Sequence, residues 1–144
     1  MAEERRRDST NVVIRNRAGQ VLLFHRDDKP QISYPGFYDA LGGVVDEGET
    51  PEQCAIREAL EEGGVTLDPA KLKLVVAYQW PNQTEYNYLY MGRLEVDTAA
   101  WVPTEGQGIE WHTPEEIADL EGFGARIMPR TRQGILHVLY GNWP

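Results

Sequence analysis

The chain has 144 residues, with 14 Lys plus Arg against 23 Asp plus Glu for a formal net charge of -9, and is 41% hydrophobic and 10% aromatic. That describes one compact domain, long enough to bury a core without covalent staples. It excludes a sequence-independent grip on nucleic acid, which needs clustered cations, and, with no apolar run near the roughly 18 residues a span requires, a transmembrane role. Cys54 has no second cysteine to pair with, and MAEERRRDST has no apolar stretch after its charges, so a cytoplasmic location is expected.

Residues 1–8 are expected to form a flexible tail and residues 9–144 a single domain, because no repeat and no Pro-, Gly- or Ser-rich linker divides them. Residues 11–14 and 21–25 are short β-forming runs around Asn16, Arg17, Ala18 and Gly19, which predicts a hairpin. Residues 27–37 read as a loop. Residues 38–45 read as a strand interrupted by Gly42 and Gly43, a pair that suggests close approach of the backbone to another group.

Thr50, Pro51 and Gln53 form a helix start: Thr50 caps, Pro51 occupies the first helical position, and Gln53 completes a capping box. The helix is expected to run to about Glu62, with Gly63 and Gly64 ending it and the larger Ile56 and Leu60 anchoring it. Residues 73–79 and 86–96 predict a second hairpin and residues 109–112 a short strand. Thr113 caps a short helix to about Leu120, and Pro129 opens the last one. The class is α+β, with antiparallel hairpins rather than regular βαβ units.

On the central helix the offsets i, i+3 and i+4 put Glu58, Glu61 and Glu62 on one face. Such a face is either a solvated acidic surface or a set of hard oxygen donors suited to Mg²⁺. From Gly43 to Val65 the chain reads GVVDEGETPEQCAIREALEEGGV. With Gly43, Glu49, Arg57, Glu58, Glu61, Glu62 and Gly64 at their prescribed spacings, this resembles the Nudix box of the Nudix hydrolases, MutT-like members in particular.

The resemblance implies a mixed β-sheet packed between helices, an α/β/α sandwich, and hydrolysis of a diphosphate bond in a nucleoside diphosphate linked to another moiety. It implies Mg²⁺, with Mn²⁺ as substitute, held by Glu58, Glu61, Glu62 and the Gly42 carbonyl. Glu105, in the segment EGQGIEW, is the candidate fourth ligand or base, and Glu110 a weaker one. Which of Glu61, Glu62 and Glu105 accepts the proton stays open. Glu49 and Arg57 are expected to pair structurally, alongside Gly43 and Gly64.

Arg26, at the end of a strand, matches a position from which MutT-type proteins reach substrate phosphate, and a bidentate donor suits that role. Tyr38, Asp39 and Trp80 are candidates for the base cleft. His25, His112 and His137 are expected to be structural. Where many family members carry Pro before the two glycines, this chain has Leu41, expected at the cleft rim. The expected partner is a small nucleotide or diphosphate, with no nucleic-acid polymer and no membrane; a homodimer stays open. Two other readings compete. A catalytically silent, nucleotide-binding module would be expected to lose box glutamates that are all present. An isopentenyl-diphosphate isomerase would need a reactive cysteine, and Cys54 lies in the helix.

Overall fold

The computed structural model describes residues 7–101 and 106–141. Among these, seven strands pair into one mixed sheet: β1 (Ser9–Arg15), β2 (Val21–His25), β3 (Tyr38–Asp39), β4 (Leu41–Val44), β5 (Lys73–Tyr78), β6 (Asn87–Arg93) and β7 (Gly108–His112). The helices are α1 (Pro51–Gly63), α2 (Pro114–Ala118) and α3 (Pro129–Tyr140).

β1 lies at the centre because every residue from Thr10 to Ile14 is apolar or small enough to be buried. Side chains alternate across a strand, so Val12 and Ile14 enter one core and Val13 the other. The first core takes Ala55 and Ala59 of α1; the second takes Ile117 of α2 and Ile135 of α3. The sheet is thus sandwiched between helices, as the fold class requires.

Two features depart from the local reading. β1 meets β2 at a single register pair, Arg15 with Val21, and otherwise runs antiparallel to β4 from Ser9 to Val12 and parallel to β6 along its whole length. The expected strand over residues 38–45 breaks at Ala40, because β3 pairs with β2 while β4 pairs with β1. Asp8, at the end of the expected tail, accepts the Val45 amide on its carbonyl and the Tyr86 amide on its carboxylate, and residues 1–6 lie outside the described residues. No helix among the described residues is long and apolar enough to cross a membrane.

Candidate active site

α1 begins as its sequence dictates, with reciprocal bonds between Thr50 and Gln53 at its start and Gly64 closing it at φ 62. It seats on the sheet through Cys54, Ala55, Ala59 and Gly63, all buried, with Ile56 partly buried beside them. Leu60, expected as an anchor, is 54% exposed. Small residues win this face because they let the helix backbone approach the sheet closely. The opposite consequence is that the helix holds its charged side chains near the strand backbone.

Arg57 organises that charge. Its Nε donates to Glu49 Oε2 at 2.7 Å and its Nη2 to Glu49 Oε1 at 3.0 Å, a bidentate pair. Nη2 also donates to the Val44 carbonyl at 3.1 Å, while Nη1 reaches Glu58 Oε1 at 2.8 Å and Glu61 Oε2 at 3.0 Å. The Arg57 bonds hold the Glu49 carboxylate down at about 2, and the carboxylates in turn raise the guanidinium's pKa.

The two glycines of β4 face this helix. A β carbon on Gly43 would lie 2.5 Å from the Glu58 carboxylate carbon, so glycine is what lets Glu58 lie against the strand. The Gly42 amide donates to Glu62 Oε1 at 2.9 Å. Among the described residues no group of three His, Cys, Asp or Glu side chains is gathered for a metal ion. The donor set nevertheless fits a hard divalent cation: three carboxylates on successive turns, two of them now joined through Arg57. Gathering Glu58 and Glu61 on an ion means exchanging their Arg57 bonds for the metal. Glu105 lies outside the described residues.

Glu62 lines a cavity of about 180 Å³ together with Phe24, Arg26, Asp27, Ile32 and Gly106. Arg26 is partly buried where the chain leaves β2; its Nη2 donates to the Ser33 carbonyl at 2.8 Å. Its Nε is buried and has no hydrogen-bond partner among the described residues. A buried donor left without an acceptor is costly, so this one is suited to an anionic oxygen in the cavity. Gln107, which sequence reasoning missed, fixes Arg26 from behind by donating to its backbone carbonyl at 2.8 Å. Gly106 was missed too. Its φ of +75° and the Phe24 ring, 2.4 Å from where a β carbon would sit, require glycine. The only sequence signal was the Gly-x-Gly spacing of residues 106–108.

The remaining candidates are not among the residues lining this cavity. Tyr38 is 7% exposed within the second core, stacked on His25 at 4.2 Å, and its phenol is pushed up to about 12 by burial and by Glu110. Asp39 accepts the Thr131 hydroxyl of α3 and the Ala40 amide; burial nevertheless raises its pKa, with Arg130 and Arg26 opposing. Trp80 packs edge-on to Tyr78 just past β5. Leu41, expected at a rim, is fully buried. His112 stacks on Phe123 and approaches Glu116 at 3.1 Å, a packing role.

The chain is similar to several known proteins. A proposed 8-oxo-dGTP diphosphatase of Bacillus subtilis is 34% identical over 106 residues, covering 74% of this chain and 66% of that protein. The NAD-capped RNA hydrolase NudC of Pseudomonas aeruginosa is 37% identical over 118 residues, covering 82% of this chain. The chain therefore spans just under two thirds of the first relative's length and 36% of the second's. The crystal structure of a MutT protein from Methanosarcina mazei superposes with a TM-score of 0.71 at 22% identity, covering 99% of each chain. The family model described as the NUDIX domain matches residues 5–131, and the chain belongs to the Nudix family.

Proposed function

We propose that the chain is a divalent-metal-dependent hydrolase that opens the diphosphate linkage of a nucleoside diphosphate joined to another moiety, a nucleoside triphosphate or related nucleotide being its substrate class. The observation that carries this reading is the cavity lined by both Glu62 and Arg26, a carboxylate from the box helix facing a cation with an unpartnered buried donor. Nudix hydrolases generally use divalent metal ions. Mg²⁺, or Mn²⁺ in its place, would be held by Glu58, Glu61, Glu62 and the Gly42 carbonyl, with Glu105 as a further donor. When bound, the ion supplies neutralisation of the nonbridging phosphate oxygens and acidification of the attacking water.

The chain's own residues do the rest. Arg26 takes a phosphate oxygen and orients the chain of phosphates. A carboxylate among Glu61, Glu62 and Glu105 accepts the proton from water as the new P–O bond forms in line with the P–O bond that breaks. Arg57 holds Glu58, which lies against Gly43, and Glu61 through one guanidinium nitrogen. A silent binding module is disfavoured by the full set of box glutamates. An isomerase using a reactive thiol is disfavoured by Cys54, which is wholly buried and whose pKa burial raises.

The test is product release from a panel of nucleoside triphosphates, oxidised deoxynucleotides, nucleotide sugars and dinucleoside polyphosphates. Because one relative acts on NAD-capped RNA, the panel includes capped and 5′-triphosphorylated RNA, against the expectation of no nucleic-acid polymer. Turnover of one class that chelator abolishes, and that Glu62→Gln lowers by about two orders of magnitude, is the expected result. Turnover that persists in chelator, or none by the wild type with metal, overturns the reading.

A further inference from the structure

A second cavity, of about 580 Å³, opens at the other end of the sheet and is lined by Arg15, Arg17, Lys71, Lys73 and Arg93, with Glu95 the one carboxylate among its lining residues. Five of the chain's 14 Lys and Arg residues meet there in a protein of formal net charge -9. The pairing of the strands makes this gathering explicit. Arg15 of β1 is the register partner of Arg93 of β6, and Lys73 of β5 is the partner of Met91, two residues before Arg93 on the same face. Neighbouring strands lie about 4.8 Å apart, so three cations converge within the length of a short phosphate chain.

Like charges side by side on a sheet face repel and normally destabilise it. Among the described residues none of the five side chains forms an ion pair, whereas Arg57 reaches four carboxylates. Glu95 directs a carboxylate oxygen at the Arg17 backbone amide, 2.6 Å away. The Nε of Arg15 is buried with no hydrogen-bond partner among the described residues. Leu72, Met91 and Leu94 add aliphatic surface to the lining.

From this we infer that the groove is a second anion site, separate from the hydrolytic cleft, that binds a phosphate-rich anion of nucleotide size. Asn11 of β1 pairs with Gly42 beside the cleft, and Arg15 lies four residues further along, roughly 13 Å away. A compact ligand in the groove therefore does not reach the reacting groups. A volume of this size suits a small molecule, and among the described residues no aromatic lines the groove to stack successive bases, which separates it from a single-stranded nucleic-acid track. The shared chemistry is the polyphosphate chain, whether free or carried by a nucleoside.

Isothermal titration calorimetry of the full chain in chelator, with tripolyphosphate and with a non-hydrolysable ATP analogue, tests this apart from catalysis. The expected result is salt-sensitive binding of tripolyphosphate that the double variant K73A/R93A, or the rim charge reversal Arg17→Glu, weakens roughly tenfold or more, while Arg26→Ala leaves it unchanged. Equal affinity for the two probes assigns the phosphate chain as the recognised group; tighter binding of the analogue assigns a nucleoside polyphosphate. Binding lost in Arg26→Ala but kept in K73A/R93A belongs to the cleft and overturns the inference. No binding of either probe, or binding of a short single-stranded RNA alone, overturns it as well. Thermal unfolding of each variant checks that it is folded.

Discussion

Glu49, in the turn before the box helix, receives Arg57 from two turns inside it through parallel hydrogen bonds of 2.7 and 3.0 Å. Glu49 also accepts the Asp46 amide at 3.0 Å, so one carboxylate ties the loop both to itself and to the helix. The remaining Arg57 nitrogen holds Glu58 and Glu61. A residue with no direct part in the chemistry thus sets the starting position of two candidate metal donors.

Removing that guanidinium leaves the Glu49 carboxylate, 14% exposed, without its partner. Arg57→Ala is expected to cost about 2 to 3 kcal/mol of stability, measured by urea unfolding, because a poorly solvated charge loses its hydrogen bonds. Arg57→Lys recovers only part of the loss, since an ammonium does not reproduce the two parallel bonds. Equal stability of the lysine variant and the wild type would show that simple charge, not the fork, holds the loop.

The same pair makes stability pH-dependent. Glu49 is held at about 2, below its ordinary value near 4.5, chiefly by its bonds to Arg57. A depressed carboxylate binds fewer protons folded than unfolded, so its contribution is complete above about pH 4.5 and is lost as pH falls toward 2. The melting temperature of the wild type is expected to fall across that window more steeply than that of Glu49→Gln. Parallel curves would assign the acid sensitivity to other groups.

Much of this was legible because it is local. Thr50 with Gln53, and Thr113 with Glu116, form the reciprocal caps that their spacing predicts. The box residues lie within one turn-and-helix unit, and the Glu49–Arg57 pair that the family resemblance implies forms within it. What the sequence did not disclose is long-range. The parallel contact of β1 with β6 joins residues 78 positions apart in register, as Ser9 with Asn87, and leaves no mark on either strand's composition. Leu60 looked like an anchor because it is large, yet the helix sits close to the sheet: a β carbon on Gly63 would lie 2.9 Å from Leu41 Cδ1. The same contact places Leu41 inside the core. Tyr38 and Trp80 are aromatic near strand ends in either reading, and only their packing partners separate a core ring from a ligand platform.

Arg26, proposed to meet the substrate phosphates, lines the cavity with Glu62. Arg26→Ala is expected to lower kcat/KM by about 10- to 100-fold, or about 1.4 to 2.7 kcal/mol, with little change in melting temperature because the hydrogen bond from its side chain to the Ser33 carbonyl is at an exposed position. A rise in KM at constant kcat would mean that Arg26 binds substrate and transition state alike; a fall in kcat would mean that it acts as charge shifts during bond breaking. Unchanged kinetics would remove Arg26 from the site.

Gly106 tests whether the segment leading into β7 positions the cleft. Its φ of +75° strains any residue with a β carbon, and that carbon would press on the Phe24 ring at 2.4 Å and on the His25 carbonyl at 2.8 Å. Gly106→Ala therefore requires the loop to shift, at about 1 to 3 kcal/mol. The shift has a functional route, because the next residue, Gln107, holds the Arg26 carbonyl and donates its own amide to the His25 carbonyl at 2.8 Å. Gln107→Ala removes the side-chain tether without backbone strain and is expected to raise KM severalfold while leaving unfolding nearly unchanged. If Gly106→Ala loses stability but both variants keep wild-type KM, the loop supports the core and not Arg26. A KM effect shared by both, and absent from a surface control such as Glu121→Gln, assigns the loop to the cleft.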